Sequence, residues 1–304
     1  MLWALFMYAV WSSLFSIGKS AALCSTPLFL TGSRMAIAGV LLTLFTFIFK
    51  KERFRFSGRQ WFSLLMLSFF SVYLTNVLEF WALTQLPSAQ VCFLYSLSPF
   101  FAALFSYLHF GEKVSGKKLI GLLIGIVGFL PGALLSLLQE ESQLLPTLGM
   151  MLAAAATVYG WVLLRLIVKD QGLSSPTANG VSMLVGGALA LGHSYLVEPW
   201  LPVTPGLEIT FLQLLSLMII ISNLLCYNLY GWLLRRYTAT LLSFLGLLSP
   251  FFATLHGWLL LGEAPSWTML ASTCFILLGL WIVYSAELKQ GYLGQRPAPT
   301  LKNA

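Results

Sequence analysis

Charge is the scarcest feature of this sequence: Asp, Glu, Lys and Arg together make up 9% of the 304 residues, where an ordinary soluble domain carries roughly a quarter. Histidine occurs only at His109, His193 and His256, too scattered to make a metal cluster. The four cysteines, Cys24, Cys92, Cys226 and Cys274, stand singly inside apolar runs and read as small buried hydrophobes, not as a disulfide framework or a zinc site. A phosphate-binding loop is missing, because Gly18-Lys19 has neither the upstream glycine nor the strand that a P-loop requires. Also missing is a compact His-Asp-Ser or metal set on one side of the chain, which an enzyme acting on membrane lipid would need. The expectation is therefore no enzyme, no metal and no cofactor.

What the chain has instead is apolar length. Hydrophobic residues make up 58% of it and the mean hydropathy is +0.85. A helix needs about 20 apolar residues to cross a hydrocarbon core. Ten such spans can be placed, at 2–18, 27–49, 61–82, 89–109, 118–138, 146–164, 178–197, 210–233, 239–261 and 267–286. Strands of a membrane barrel would alternate apolar and polar residues in segments of about 10, and no stretch does so. The first span lacks a basic leader, and the bulky Leu23 precedes Cys24 where a cleavage site wants a small residue, so it reads as a retained helix. The polar tail from Glu287 to Ala304, with Pro297 and Pro299, is expected to be disordered.

Positive charge fixes the expected orientation. The Lys and Arg residues fall almost entirely in alternate gaps: Lys50 to Arg59, Lys113 to Lys118, Arg165 with Lys169, Arg235 with Arg236, and the tail. Loops rich in Lys and Arg stay on the cytoplasmic side, so both termini are expected there, in a bacterial inner membrane. The net charge of +7 is then accounted for by topology, and nucleic acid is not an expected partner. The lipid bilayer and a small-molecule metabolite are, and the oligomeric state is left open, a homodimer included.

One phrase occurs twice. Ser98-Pro99-Phe100-Phe101-Ala102 leads to Gly111-Glu112, and Ser249-Pro250-Phe251-Phe252-Ala253 leads to Gly262-Glu263, with both elements displaced by the same 151 residues. An offset of half the chain implies internal duplication. Five spans per half is an odd number, so the second half must enter the bilayer from the opposite side. The expected fold is an all-α membrane protein of ten transmembrane helices in two inverted five-helix repeats. Residues 1–138 form the first repeat, 139–145 a linking loop, 146–286 the second repeat and 287–304 the tail. Inverted repeats of this kind are characteristic of transporters, with the substrate site at the repeat interface.

Several residues are placed where they could line that site. Pro99 and Pro250 fall in mid-span and each leaves the carbonyl four residues earlier, Tyr95 or Gly246, without its usual donor. They are candidate hinges and the Tyr95 carbonyl a candidate contact, the alternative being packing kinks satisfied by neighbouring helices. Arg34 and Glu79 are charges within spans, which are costly there and seldom face lipid. They read as a lining for an ionic substrate, with Glu79 the one protonatable group, or else as a structural pair. Tyr73, Asn76 and Phe80 share one helical face with Glu79 beside them, and Asn223, Tyr227 and Tyr230 share another in the matching span of the second half. With Tyr8, Trp11 and Gln90 these describe a cavity suited to a planar or cationic ligand through stacking and cation–π contacts. Gly121, Gly125, Gly186 and Gly187 allow close helix packing, and Gly111 is expected to end a helix in the left-handed conformation. Glu112 and Glu263 are expected to cap the helices that follow.

Two five-span halves, each with a Ser-Pro helix and a Gly-Glu corner, resemble the EamA-type branch of the drug/metabolite transporter superfamily. Trp11 with Lys19, then Arg34 in the next span, are similar to that family's opening pattern, although the second half has no counterpart of Arg34. The resemblance covers nearly the whole chain and implies a secondary transporter working by alternating access. Its members carry amino acids, nucleosides, vitamins or S-adenosylmethionine. The Leu-, Phe-, Ser- and Cys-rich style further resembles members in intracellular bacteria that exchange S-adenosylmethionine for S-adenosylhomocysteine. A polytopic enzyme acting on lipid, or a ligand-gated channel or receptor, is the rival expectation.

Overall fold

The computed structural model describes residues 1–51, 54–86, 91, 94–95, 97–137, 144–249, 251–252, 255 and 267–291. Its named elements are all helical: α1 (Leu2–Ser12), α2 (Leu14–Cys24), α3 (Pro27–Ile48), α4 (Gly58–Leu67), α5 (Thr75–Leu83), α6 (Ser98–Phe110), α7 (Gly116–Leu137), α8 (Leu144–Arg165), α9 (Ser175–Val197), α10 (Glu208–Met218), α11 (Tyr227–Leu233), α12 (Ala239–Leu245) and α13 (Trp267–Lys289). Two π-helical segments, Ser68–Leu74 and Ile219–Cys226, join α4 to α5 and α10 to α11, and a third, Leu166–Asp170, prolongs α8. Among the described residues, five helical runs are by themselves long and apolar enough to cross a membrane: Pro27–Ile48, Gly58–Leu83, Leu144–Asp170, Ser175–Val197 and Glu208–Leu233.

Local sequence explains where the helices start and stop. Ser57 and Gln60 form a reciprocal capping box at the head of α4, and Ser174 and Thr238 cap α9 and α12 with their hydroxyls. Helix α3 is capped from outside its own segment: the Glu198 carboxylate accepts from Leu28 N and Phe29 N at 2.8 and 2.9 Å, and from the hydroxyls of Thr26 and Ser194. Gly111 ends α6 at φ +65°, the left-handed conformation its lack of a Cβ permits. Pro99 stands in the first turn of α6, where its missing N–H has no intrahelical partner to lose. Pro250, Gly262 and Glu263 lie outside the described residues.

Chain reversals gather the basic segments at one end. There the Met1 amino group donates to Tyr237 Oη at 2.9 Å, Gln60 and Gln171 tie the start of α4 to the end of α8, and Arg235 donates to the Leu173 carbonyl. At the other end, Thr26 N and Thr204 N bond the carbonyls of Pro202 and Cys24. Buried apolar side chains divide accordingly: one cluster from Met7 through Leu64, Leu164, Tyr230 and Phe244 near the N-terminus, another from Cys24 through Leu30, Leu83, Met150 and Met218 at the far end.

Two helix pairs make the most extensive contacts, α3 with α9 and α7 with α13. Both crossings depend on glycine. A Cβ on Gly187 would stand 2.5 Å from the backbone nitrogen of Ala36, and one on Gly279 would stand 2.6 Å from the Gly121 carbonyl oxygen, so neither position tolerates a side chain without separating the helices. Glu112 departs from expectation. It does not cap α7; its carboxylate accepts from Arg165 at 2.5 Å, both groups being buried, while the guanidinium lies 4.4 Å from the centre of the Phe110 ring. The pairing follows from burial, since a carboxylate sealed under α8 needs a cation more than a helix N-terminus needs a cap. A second buried pair, Lys118 with Glu287 at 2.7 Å, is extended by the Thr238 hydroxyl.

Candidate functional site

Between the two apolar clusters lies a cavity with an accessible volume of about 150 Å³, room for about five waters at liquid density. Its wall draws on both halves of the chain: Tyr8 and Trp11 of α1, Arg34 of α3, Thr75, Asn76, Glu79 and Phe80 of α5, Tyr95 and Ser98, Thr157 and Trp161 of α8, Ser222 and Tyr227, and Ser243 with Gly246. A smaller space of about 10 Å³, the size of one water, adjoins it on the side of the Met7–Leu164 cluster, lined by Leu67, Ser71, Asn179, Ser182 and Tyr230 among others. Trp11, Trp161 and Tyr227 belong to both walls and so partition them.

The aromatic partition is continuous. Tyr8 and Trp11 lie stacked at 6.2 Å between ring centres, Trp11 is 5.5 Å from Tyr227 and 6.1 Å from Tyr230, and Trp161 is 4.8 Å from Tyr230. Tyr8 is held by a hydrogen bond of 2.7 Å from its hydroxyl to the Leu242 carbonyl.

The charged groups lie on the cavity beside Phe80 and Leu83 of the far apolar cluster. Arg34 donates through Nη2 to Asn76 Oδ1, lies 5.3 Å from the centre of the Phe80 ring, and has no partner for Nε. Glu79 accepts from Tyr95 Oη at 2.7 Å. No ion pair joins Arg34 to Glu79, so the structural pairing allowed by the sequence is not formed. A cation and an anion therefore face one cavity, each held by a neutral hydrogen-bonding neighbour. Chemically, the arrangement suits a zwitterion attached to a planar group.

Of the residues expected at the site, Tyr8, Trp11, Arg34, Asn76, Glu79, Tyr95 and Tyr227 line the cavity together. Tyr95 does so through its hydroxyl rather than its carbonyl. Three do not reach it. Tyr73 turns to α9 and bonds His193 Nδ1 at 2.8 Å, and Asn223 is fully buried with its amide nitrogen 3.0 Å from the Met35 sulfur. Tyr230 lines the smaller space. For Tyr73 and Asn223 the reason is the π segments Ser68–Leu74 and Ile219–Cys226: each accommodates an extra residue, and one residue shifts the face of a helix by about 100°. Tyr73 and Asn223 lie within those segments and are rotated off the face their spacing predicts, whereas Asn76, Glu79 and Tyr227 follow them. Gln90 lies outside the described residues.

Sequence reasoning missed Thr75, Thr157, Ser98 and Ser243, whose small hydroxyls in apolar runs give no periodic signal. It also missed Asn228. The π segments Ser68–Leu74 and Ile219–Cys226 free backbone carbonyls, and an asparagine just beyond each takes them up: Asn76 Nδ2 donates to Ser71 O and Val72 O at 3.2 and 2.8 Å, Asn228 Nδ2 to Asn223 O and Leu224 O at 3.1 and 2.9 Å. The signal was an Asn in each of two matching spans.

The chain matches the model of the EamA-like transporter family in two stretches, residues 1–130 and 144–285. It is 40% identical over 290 residues to a protein of Chlamydia muridarum named S-adenosylmethionine/S-adenosylhomocysteine transporter, spanning 93% of this chain and 91% of that one. A relative of the same name from Chlamydia trachomatis serovar L2 is also 40% identical, over 93% and 88% of the two chains. A crystal structure of a protein 19% identical has the same fold, with a TM-score of 0.71 over 94% of this chain and 97% of that one. Matched along most of its length, the chain belongs to the EamA-like transporter family.

Proposed function

We propose that this transporter exchanges S-adenosylmethionine for S-adenosylhomocysteine across a bacterial inner membrane. The observation that carries the reading is the unpaired Arg34 and Glu79 on one cavity beside the Trp11–Tyr227–Trp161 wall. Both ligands present what that wall lacks. Arg34 receives the amino-acid carboxylate, Glu79 receives the ammonium, and the aromatic side chains stack on adenine and, in S-adenosylmethionine, face the sulfonium. Glu79 serves the ammonium and not a coupling proton, because the opposed gradients of the two ligands supply the drive. Family membership, and relatives that carry this name at 40% identity, support the same choice.

In this reading the chain crosses the bilayer ten times as two inverted repeats with both termini in the cytoplasm. Support comes from symmetry. The α3–α9 pair joins the second expected span to the seventh, the α7–α13 pair joins the fifth to the tenth, and the π segments begin 151 residues apart, at Ser68 and Ile219. With the termini cytoplasmic, the cavity opens outward from its aromatic partition, and Tyr8, the Arg165–Glu112 pair and the Lys118–Glu287 pair support the reading of a state closed on the cytoplasmic side. Alternating access requires the layer of Trp11, Trp161 and Tyr227 to part, with bending at Pro99 and Pro250.

The test is counterflow. Proteoliposomes preloaded with unlabelled S-adenosylhomocysteine should take up labelled S-adenosylmethionine transiently against its gradient, and empty ones should not. Uptake that does not depend on internal ligand argues for a channel, and uptake of free amino acids alone argues for another substrate.

A further inference from the structure

The two asparagines beyond the π segments do the same backbone work but differ in what their amide oxygens hold. Asn76 accepts from Arg34, and Asn228 accepts from Asn179 Nδ2 at 3.1 Å, away from the cavity wall. Asn76 is 3% exposed, so its amide has no freedom to turn toward water. Its nitrogen is committed to the carbonyls of Ser71 and Val72, which fixes the amide plane and aims Oδ1 at the guanidinium. Arg34 has few other restraints: Nε is unpartnered and Phe80 offers only a ring face.

We propose that Asn76 is a positioning residue for anion recognition: anchored on the π segment, it holds Arg34 so that the remaining guanidinium N–H groups face the ligand's carboxylate. The π segment is thereby part of the specificity apparatus, because without its freed carbonyls the amide would have no fixed orientation. Being neutral, Asn76 orients the cation without cancelling it. An aspartate would pair with Arg34 and compete with the ligand. The inference rests on the reading of Arg34 as the carboxylate site. Asn228 is a control built into the fold, since it caps the matching segment and touches no cation.

The experiment compares S-adenosylmethionine with decarboxylated S-adenosylmethionine by calorimetry on purified wild type, Asn76→Leu, Asn76→Asp, Asn228→Leu, Arg34→Ala and the Arg34→Ala/Asn76→Leu double variant. Loss of a hydrogen-bonded orienting group on a charged centre should weaken S-adenosylmethionine at least about ten-fold in both Asn76 variants while decarboxylated ligand changes less than about two-fold. Asn228→Leu should alter the two ligands alike. In the double variant, Asn76→Leu should add nothing to Arg34→Ala, because it acts through that arginine. If Asn76→Leu weakens both ligands equally, or adds its full effect on top of Arg34→Ala, Asn76 only stabilises the segment and the proposal is wrong. If Arg34→Ala still separates the two ligands as wild type does, the carboxylate site is elsewhere and the proposal falls with it. Asn76→Asp keeps side-chain size and so tests the same point should Asn76→Leu not fold.

Discussion

The Glu79→Gln substitution isolates charge from shape. Glutamine preserves the volume of the side chain and retains an oxygen for the Tyr95 hydroxyl, now 2.7 Å from the carboxylate, so the wall should stay intact. What disappears is the anion proposed to meet the ligand's ammonium. Coulomb's law gives about 4 kcal/mol for unit charges 4 Å apart at an effective dielectric constant of 20. Part of this is offset because both groups leave water, and hydrogen bonds to charged groups are worth about 1.5–3 kcal/mol net. The expected loss in affinity for S-adenosylmethionine is therefore about ten- to a hundred-fold. Calorimetry with purified protein measures it directly, with the des-amino analogue as reference: that analogue should bind wild type weakly and Glu79→Gln no worse. Tyr95→Phe should have a smaller effect, because it removes an orienting hydroxyl and leaves the charge. Equal weakening of S-adenosylmethionine and its des-amino analogue would refute the reasoning, since Glu79 would then be shaping the wall instead of contacting the amine.

S-adenosylmethionine carries one net positive charge and S-adenosylhomocysteine none, so each exchange moves one charge; an inside-negative potential of 100 mV, set by potassium and valinomycin in proteoliposomes, should raise steady-state accumulation up to about 50-fold. Potential-independent exchange would show that a compensating ion travels too. Trp11→Ala should weaken binding at least about ten-fold and Trp11→Phe far less, as the stacking surface is mostly kept; similar losses would mean Trp11 is packing alone. Arg165→Met leaves the buried Glu112 without its cation, a loss of about 3–5 kcal/mol, while Arg165→Met with Glu112→Gln should recover most of the thermal stability, and a single variant as stable as the double would show the pair to be energetically idle. Gly187→Val should lower the melting temperature sharply, because its Cβ meets the Ala36 backbone and not a flexible side chain; an unchanged melting curve would place the α3–α9 crossing elsewhere.

The coarse architecture was legible because it is written in physical quantities that a sequence displays. Apolar length gave Pro27–Ile48 and Ser175–Val197 close to their observed bounds but stopped six residues short of the end of Leu144–Asp170, and the charge pattern predicted that the loops near Lys50, Lys113, Arg165 and Arg235 would share one end. Arg34 and Glu79 were conspicuous because charge in a span demands a reason. What a regular period could not reveal was the point where the period itself changes. The stripe Asn223–Tyr227–Tyr230 assumed 3.6 residues per turn through Ile219–Cys226, which is π-helical, and the error in angle put Asn223 on the wrong face. Glu112 failed for a different reason: its partner Arg165 is 53 residues away, and no local pattern announces a contact made by folding.

The same irregularities that defeat periodicity also organise the site. A straight helix from Gly58 to Leu83 would present Tyr73 and Asn76 together; the π segment sends Tyr73 to His193 and leaves Asn76, Glu79 and Phe80 on the cavity, one against Arg34, one toward Tyr95 and one under the guanidinium. The matching segment in the second half does likewise, withdrawing Asn223 and presenting Tyr227, but without an arginine opposite. The two π segments thus bring unlike side chains to the cavity, Asn76 and Glu79 after one and Tyr227 after the other, while Tyr8 and Trp11 of α1 complete the aromatic wall. An asymmetric ligand, zwitterionic at one end and planar at the other, fits a cavity lined in this way, and the duplicated scaffold proposed above, better than any ligand with two similar ends would.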